Sequence, residues 1–244
     1  MKIPKVRVNE IFNSIQGEGA LAGYSTEFIR FQGCRVGCKW CDSKPTWKHD
    51  TKDEWTSYDL VNHIVKTVDK KKWLCFTGGE PLEQAESLFW IIEKLSRIGY
   101  NKISIETAGI TETYKNGEVK LPDKKKIYDV SLTKVFFSVS PKLPSALGNR
   151  FKLDSLRYIT SFWYDSVENP FHLQFKFVVS SLEDIDALTK IYSVIDKKPD
   201  CHFFIQVEDS KIPDASFVKL CREFVEVNKE FRLTIQQHKV LLLR

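Results

Sequence analysis

Short apolar segments alternate with amphipathic helical patterns along most of the chain, and this alternation constrains the fold more than any other feature. Apolar runs end at Thr77, Thr107 and Ser140, and a helical period of apolar residues fills intervening stretches such as residues 83–97. Strands joined by helices at this spacing form a parallel sheet through right-handed crossovers. The pattern therefore predicts an α/β fold.

Individual elements follow from the same periodicities. Strands are predicted at residues 6–14, 26–32, 73–77, 102–107, 134–140, 172–180, 202–207 and 232–236, and helices at residues 57–69, 83–97, 182–194 and 215–227. Residues 41–55 contain Pro, Asp and Lys without a long apolar period. The helix count is low for an eight-fold barrel, so we expect an incomplete parallel β/α barrel with fewer helices than a full one.

The 244 residues contain neither an internal repeat nor a low-complexity linker, so a single domain over residues 1–244 is expected. Within it, residues 114–129 are rich in lysine and carry a turn signal at Asn116-Gly117. We interpret them as a solvated hairpin in a surface insertion at about residues 112–130.

Composition excludes several classes of protein. With 42% hydrophobic and 28% charged residues, the chain is neither low-complexity nor disordered. It has no apolar run of about eighteen residues, so no membrane span is expected. The start, MKIPKVRVNE, lacks the apolar run of a secretory signal, which favours the cytoplasm. The net charge of +5 suits an anionic small substrate. The sequence lacks an aromatic-rich basic stripe, so a nucleic-acid partner is not expected.

Polar and glycine residues follow three of the predicted strands. They are Thr77-Gly78-Gly79, Glu106-Thr107 and Ser140-Pro141-Lys142. Ligands of parallel sheets and barrels gather where the strands end at their carboxyl side. The three groups are therefore expected to line one site.

The spacing Cys34-x3-Cys38-x2-Cys41 is the strongest signal of chemistry. Three close thiolates can hold one metal centre. A structural zinc needs four protein ligands, and Asp42 or His49 would have to supply the fourth. A [4Fe–4S] cluster on three cysteines leaves one iron open for a cofactor. The cysteine spacing alone is compatible with both a zinc site and a [4Fe–4S] cluster. The remaining cysteines are read as core thiols: Cys75, Cys201 and Cys221.

The cysteine spacing, with Trp40 before the last cysteine, resembles the signature of radical S-adenosylmethionine enzymes, and Thr77-Gly78-Gly79-Glu80-Pro81 resembles their GGEP motif. A finer resemblance, spanning residues 11–244, is to the 7-carboxy-7-deazaguanine synthase family of the 7-deazapurine (queuosine) pathway. It is carried by IFNSIQGEG at 11–19, FIR at 28–30, WCDS at 40–43, SPK at 140–142 and QQHK at 236–239.

This resemblance implies a lyase that converts 6-carboxy-5,6,7,8-tetrahydropterin into 7-carboxy-7-deazaguanine with loss of ammonia. A reduced [4Fe–4S] cluster on Cys34, Cys38 and Cys41 would cleave S-adenosylmethionine. The 5′-deoxyadenosyl radical would take hydrogen from C6 of the pterin, the ring would contract, and the cofactor would be regenerated. The family also implies Mg²⁺ and a flavodoxin- or ferredoxin-type reductant, and we expect a homodimer.

The resemblance also assigns the site residues. Substrate contacts are expected from Ile15, Gln16, Gly17, Glu18, Arg30, Thr77 and Arg244. Arg30 suits the substrate carboxylate, and residues 15–18 suit the donors of the amino-pyrimidinone edge. S-adenosylmethionine contacts are expected from Trp40, Cys41, Asp42, Gly79, Glu80, Glu106, Ser140, Pro141, Lys142 and Gln206. Ser43 is expected to bind Mg²⁺ beside the substrate carboxylate. Val207 replaces a proline that relatives often have after Gln206.

Two other functions compete with this one. An activase that places a glycyl radical on a partner protein would share the cysteines and the GGEP segment, but has no need for residues 16–19, Arg30 or Ser43. A zinc-stabilised binding module without catalysis would use the cysteines alone.

Overall fold

The computed structural model describes residues 3–49, 54–113, 116–131, 134–192 and 201–243. Its strands are β1 (Lys5–Ile15), β2 (Ser25–Phe31), β3 (Glu54–Thr56), β4 (Trp73–Gly78), β5 (Ile103–Thr107), β6 (Glu112–Thr113), β7 (Val119–Lys120), β8 (Phe136–Val139), β9 (Leu173–Val179), β10 (His202–Val207) and β11 (Phe231–Thr234). Its α-helices are α1 (Ser57–Thr67), α2 (Ala85–Arg97), α3 (Lys124–Ser131), α4 (Pro144–Leu147), α5 (Leu153–Ser166), α6 (Leu182–Tyr192), α7 (Ala215–Val227) and α8 (Gln237–Val240).

The main sheet has the strand order β11-β10-β9-β8-β5-β4-β2-β1-β3. Neighbours from β2 to β11 are parallel, whereas β1 pairs antiparallel with both β2 and β3. Strands β6 and β7 form a separate hairpin. Within the described residues, the edge strands β3 and β11 do not pair with each other, so the sheet is open. The prediction of an incomplete parallel β/α barrel is confirmed.

The sheet buries both of its faces, as parallel sheets do. On the outer face, strand residues such as Phe76 and Phe137 pack against helix residues such as Leu88 and Trp163 in one large apolar core. Because side chains alternate along a strand, the intervening residues point to the concave face. Many of these are polar yet buried, and they include Thr77, Ser104, Ser138 and Gln174.

Helix α5 was not predicted from the sequence. Its stretch YITSFW is rich in aromatic and β-branched residues, which favour strands. Tertiary packing decides otherwise: Leu156, Ile159 and Trp163 bury one face of the helix, and Trp163 Nε1 donates to the carbonyl of Gly109 at 2.9 Å. Propensity is a weak guide where a helix is held by its core contacts. None of the described helices is long and apolar enough to cross a membrane.

Candidate functional site

A cavity of about 250 Å³ opens on the concave face of the sheet. Its walls come from the carboxyl ends of β2, β4, β5, β8 and β10, from β9, from the second half of β1 and the residues that follow it, and from the segment after β11. The polar groups that follow β4, β5 and β8 all contribute to it, as predicted for a site at the strand ends.

The cysteine loop (residues 33–43) forms one wall, and Cys34, Cys38 and Cys41 all line the cavity. Its backbone is held by the chain after β8. Arg150 donates from Nη1 to the carbonyl of Val36 at 2.8 Å and from Nη2 to that of Gly37 at 2.6 Å. Lys39 N donates to the carbonyl of Ala146 at 2.9 Å. The loop is therefore held from outside as well as by its own bonds, such as that from Cys41 N to the carbonyl of Cys38 at 3.3 Å.

The chemistry of the three thiols fits a metal centre. Burial, aided by the nearby Glu80 carboxylate, raises the pKa of Cys34 to about 12. Burial also raises the pKa of Cys38, against the opposing charges of Lys142 and Arg150. Thiols with such pKa values are poor free nucleophiles, whereas metal ligation deprotonates a thiol outright. Among the described residues, no three His, Cys, Asp or Glu side chains could hold a single metal ion together. A cluster is larger than one ion and takes its ligands at separate corners.

The Gly78-Gly79-Glu80 segment passes directly beside the cysteine loop. Glu80 N donates to the carbonyl of Gly33 at 3.0 Å. A Cβ on Gly79 would lie 2.1 Å from the same carbonyl oxygen, so this close approach of two backbones requires glycine.

Glu80 is a buried carboxylate at the cavity, with 1% of its surface exposed. It accepts hydrogen bonds from Leu82 N at 3.0 Å, Thr107 Oγ1 at 2.5 Å and Ala108 N at 2.7 Å. Burial raises its pKa to about 7 in spite of these donors. A bound cation beside it would favour the ionised form. The position therefore suits the ammonium group of a ligand.

The QGEG loop (residues 16–19) forms the opposite wall. Gln16 Nε2 donates to Glu106 Oε1 at 2.9 Å, and Thr77 Oγ1 donates to Glu106 Oε2 at 2.8 Å. The carboxylate of Glu106 therefore orients two predicted substrate residues, and its remaining lone pairs are what a ribose hydroxyl could use.

Two further elements hold the QGEG loop. The C-terminal segment (residues 236–240) lies against it: Gln237 N donates to the carbonyl of Gly17 at 3.0 Å, and Gln236 Nε2 donates to Glu18 Oε1 at 2.6 Å. On the sheet side, Lys176 from β9 forms an ion pair with Glu18 Oε2.

Arg30 and Ser43 meet at the end of the cavity near Phe12. Arg30 Nη1 donates to Ser43 Oγ at 3.1 Å, and its Nε donates to Glu10 Oε1 at 2.8 Å. The guanidinium lies 5.4 Å from the centre of the Phe12 ring. Ser43 Oγ in turn donates to Asp42 Oδ1 at 3.0 Å. A cation fixed by a carboxylate and stacked on an aromatic ring presents an ordered site for an anion.

Ser140, Lys142 and Gln206 also line the cavity, together with Trp40 of the cysteine loop. Lys142 Nζ donates to Ser140 Oγ at 3.2 Å and lies 6.0 Å from the Trp40 ring centre. Gln206 is 2% exposed, and its Oε1 has no hydrogen-bond partner among the described residues. A buried polar atom without a partner at a cavity wall points to a ligand that satisfies it.

Most of the residues singled out from the sequence line this one cavity. They are Ile15, Gln16, Gly17, Glu18, Arg30, Cys34, Cys38, Trp40, Cys41, Asp42, Ser43, Thr77, Gly79, Glu80, Glu106, Ser140, Lys142 and Gln206. Pro141 is not among the lining residues, and Arg244 lies outside the described residues.

Sequence reasoning did not place several lining residues, among them Lys176, Glu208 and His238. One signal was available for Lys176. In the β9 sequence LQFKFVV, Gln174 and Lys176 share a face of a strand that a parallel sheet buries. Polar side chains on a buried strand face indicate that this face of the sheet lines the site.

Comparison with known proteins is consistent with this geometry. The family described as 4Fe-4S single cluster domain matches residues 15–142. A 7-carboxy-7-deazaguanine synthase from Buchnera aphidicola subsp. Schizaphis graminum is 31% identical and aligns with 97% of this chain and 98% of its own. The synthase of that name from Escherichia coli K12 is 28% identical over 96% of this chain and 97% of its own. The crystal structure of QueE from Escherichia coli matches with a TM-score of 0.67 and 26% identity, over 96% of this chain and 95% of that chain.

Proposed function

This chain belongs to the 7-carboxy-7-deazaguanine synthase family, and on that premise we propose that it converts 6-carboxy-5,6,7,8-tetrahydropterin into 7-carboxy-7-deazaguanine with loss of ammonia. It is a radical S-adenosylmethionine lyase with a [4Fe–4S] cluster. When bound, the reduced cluster and S-adenosylmethionine supply the 5′-deoxyadenosyl radical that takes hydrogen from C6 of the pterin. The protein would hold S-adenosylmethionine and the pterin in the relative orientation that hydrogen transfer needs, and would exclude water.

One observation carries this proposal: the QGEG loop, the Arg30–Ser43 pair and the three cysteines face a single cavity. A glycyl-radical activase has no use for the first two features, and a zinc module has no use for the cavity. We infer that residues 1–244 work as one radical S-adenosylmethionine domain.

The carboxylate of the pterin is assigned to Arg30. Its guanidinium is already oriented by Glu10 and by the Phe12 ring, so little rotamer freedom is lost on binding. Ser43 Oγ lies 3.1 Å from Arg30 Nη1. The Ser43 hydroxyl and the substrate carboxylate would share a Mg²⁺ ion, with water supplying other ligands. Asp42, bonded to the Ser43 hydroxyl, supports it from outside.

The donor edge of the pterin is assigned to the QGEG loop. Glu18 provides an acceptor for adjacent N–H donors, and Gln16 provides both an acceptor and donors. Gly17 allows the C-terminal segment to pack against the loop, since a Cβ there would lie 2.3 Å from His238 Nδ1. Ile15 and Thr77 complete this part of the wall.

S-adenosylmethionine is assigned to the opposite wall. The buried Glu80 carboxylate and the Gly79 backbone would receive its ammonium group, which would offset the cost of burying Glu80 ionised. Gln206 Oε1, which has no partner among the described residues, would accept a hydrogen bond from the ligand. Ser140, Lys142 and Glu106 line the same cavity and are assigned to the ribose hydroxyls or the carboxylate, and Trp40 is assigned to the adenine.

Partners and location follow from the same chemistry. The cluster has to be reduced by one electron, which suits a flavodoxin- or ferredoxin-type protein. All six cysteines lie in the described residues and none of them forms a disulfide there, which fits the reducing cytoplasm. A homodimer is proposed on the expectation that an open barrel covers apolar surface with a second copy.

An anaerobic assay tests the function. Protein reconstituted with iron and sulfide is reduced and given S-adenosylmethionine, Mg²⁺ and the pterin, and products are followed by mass spectrometry. We expect 7-carboxy-7-deazaguanine, and none from the Cys38→Ala variant, which lacks a cluster ligand. Accumulation of 5′-deoxyadenosine without that product would refute the substrate assignment. If neither compound formed with the cluster intact, the activase function would be favoured.

A further inference from the structure

Lys176 is a buried cation in the cavity wall for which the proposed chemistry has given no role. Its side chain is 9% exposed, and it lies in the middle of β9 on the concave face. Burying an ammonium group is costly unless a partner offsets the lost hydration. Its partner is Glu18, whose side chain is 11% exposed, so the two charges are desolvated together.

The two oxygens of Glu18 have separate partners. Oε2 contacts Lys176, and Oε1 accepts from Gln236 Nε2 at 2.6 Å. An unpaired carboxylate at this depth would tend to take up a proton. A protonated Glu18 would present an O–H donor to the N–H donors of a pterin and would repel them. Lys176 therefore keeps Glu18 in the ionised form, which accepts hydrogen bonds from the donor edge of the pterin.

Strand β9 also fixes the backbone next to Glu18. Gln174, two residues before Lys176 on the same face, accepts from Ala20 N at 2.8 Å and donates to Ser138 Oγ at 2.6 Å. The stretch around Glu18 is thus held by two side chains of one rigid strand. A site built on a strand keeps its geometry better than a site held only by its own loop.

We propose that Lys176 is a positioning residue for substrate binding: it holds the Glu18 carboxylate ionised and aimed at the donor edge of the pterin. This rests on the proposed function. Lys176 acts through Glu18 and does not itself contact the reacting atoms.

The pH dependence follows from the surroundings of Lys176. Burial lowers its pKa to about 8. The charged or titratable groups that line the same cavity around it are Glu18, Asp42, Glu106, Lys142, Glu208, His238 and Lys239. Below pH 8 Lys176 is charged and pairs with Glu18; above pH 8 it loses its proton and the pair is lost. Pterin affinity should fall as the pH rises from 7 to 9.

The test compares Lys176→Met and Lys176→Arg with the wild type, and uses Lys219→Met on the exposed face of α7 as a control. The cluster-loaded protein is titrated anaerobically with the pterin to obtain its Kd, and kcat is measured separately. At pH 7 we expect Lys176→Met to raise the pterin Kd at least about tenfold, the effect of losing one hydrogen bond to a charged group. Affinity for S-adenosylmethionine should change less than about twofold in both variants and in the control.

Two further measurements separate positioning from mere support of the fold. Arginine keeps its charge at pH 9, so Lys176→Arg should bind the pterin equally well at pH 7 and pH 9, whereas the wild type should not. In a Glu18→Gln background, which has no carboxylate to orient, Lys176→Met should change the pterin Kd less than about twofold.

Each outcome decides the proposal. An unchanged Kd in Lys176→Met, or an equal loss in the Glu18→Gln background, would overturn it while leaving the proposed function intact. Failure of the wild type to bind and convert the pterin would overturn the proposed function, and this inference with it. If Lys176→Arg does not fold, the double-variant comparison still decides.

Discussion

Replacement of Gly17 by alanine tests how the cavity is closed on the side of the C-terminal segment. An added Cβ would lie 2.3 Å from His238 Nδ1 and 2.7 Å from His238 N. Gly17 does not have a positive φ, so alanine can adopt its backbone conformation without strain. The conflict with His238 is therefore the whole perturbation.

The magnitude follows from the contacts that the clash disrupts. Relief requires the C-terminal segment to move by about 1 Å, because uncharged atoms pack at about 3.5 Å. That movement breaks the bond from Gln237 N to Gly17 O at 3.0 Å and the bond from Gln236 Nε2 to Glu18 at 2.6 Å. One neutral bond and one bond to a charged group together stabilise docking by about 2–4.5 kcal/mol. Loss of even the lower value makes opening about 30-fold more frequent.

Amide hydrogen exchange measures this directly. We expect the Gln237 amide to exchange at least about 30-fold faster in Gly17→Ala, with strands of the sheet unaffected. Gly23→Ala is the matched control: Gly23 has φ 91°, but a Cβ there meets nothing within 4 Å. It should cost about 1–2 kcal/mol of global stability through left-handed strain and leave Gln237 protected. Wild-type protection of Gln237 in Gly17→Ala would refute the docking of this segment on Gly17.

Two more predictions concern the cysteine loop and the half-buried His172. Arg150→Met removes two donors to the loop carbonyls, so a chelator should release iron about tenfold faster than from Arg157→Met, whose arginine is exposed on α5; equal rates would contradict the clamp. Burial, with Lys134 nearby, lowers the pKa of His172, so the unfolded chain takes up a proton more readily and stability falls as the pH drops. His172→Gln should therefore lose less stability than the wild type between pH 7.5 and 5.5 in urea titrations, and identical losses would contradict this.

The features that sequence reasoning predicted are those set by short-range patterns. The parallel strands and the helices α1, α2, α6 and α7 follow from periodicity, and the strand ends at Thr77, Glu106 and Ser140 follow from the polar residues that interrupt apolar runs. Since the carboxyl ends of parallel strands share one edge of the sheet, these strand ends were predicted to line one site. The family resemblance then added the cysteine loop to that site.

The features that were missed depend on contacts between distant parts of the chain. Arg150 clamps residues more than a hundred positions away, and its own neighbourhood contains no signal of that contact. Likewise, the ion pair of Arg30 with Glu10 depends on the register of β1 against β2. Helix α5 is helical because Trp163 reaches the core, although its local composition favours a strand. Such choices are made by tertiary packing.

The C-terminal segment has a consequence for the order in which the molecule assembles. Neighbouring parallel strands are close in the chain order, as in β4 beside β5 and β9 beside β10, so the sheet can grow by adding one strand at a time. The bond between Gln236 and Glu18 instead joins residues 218 positions apart. Closing so long a loop costs more chain entropy than any single strand pairing, and distant contacts are rewarded late in folding. We therefore expect a folding chain to complete its sheet before it has a closed cavity in which a radical could be contained.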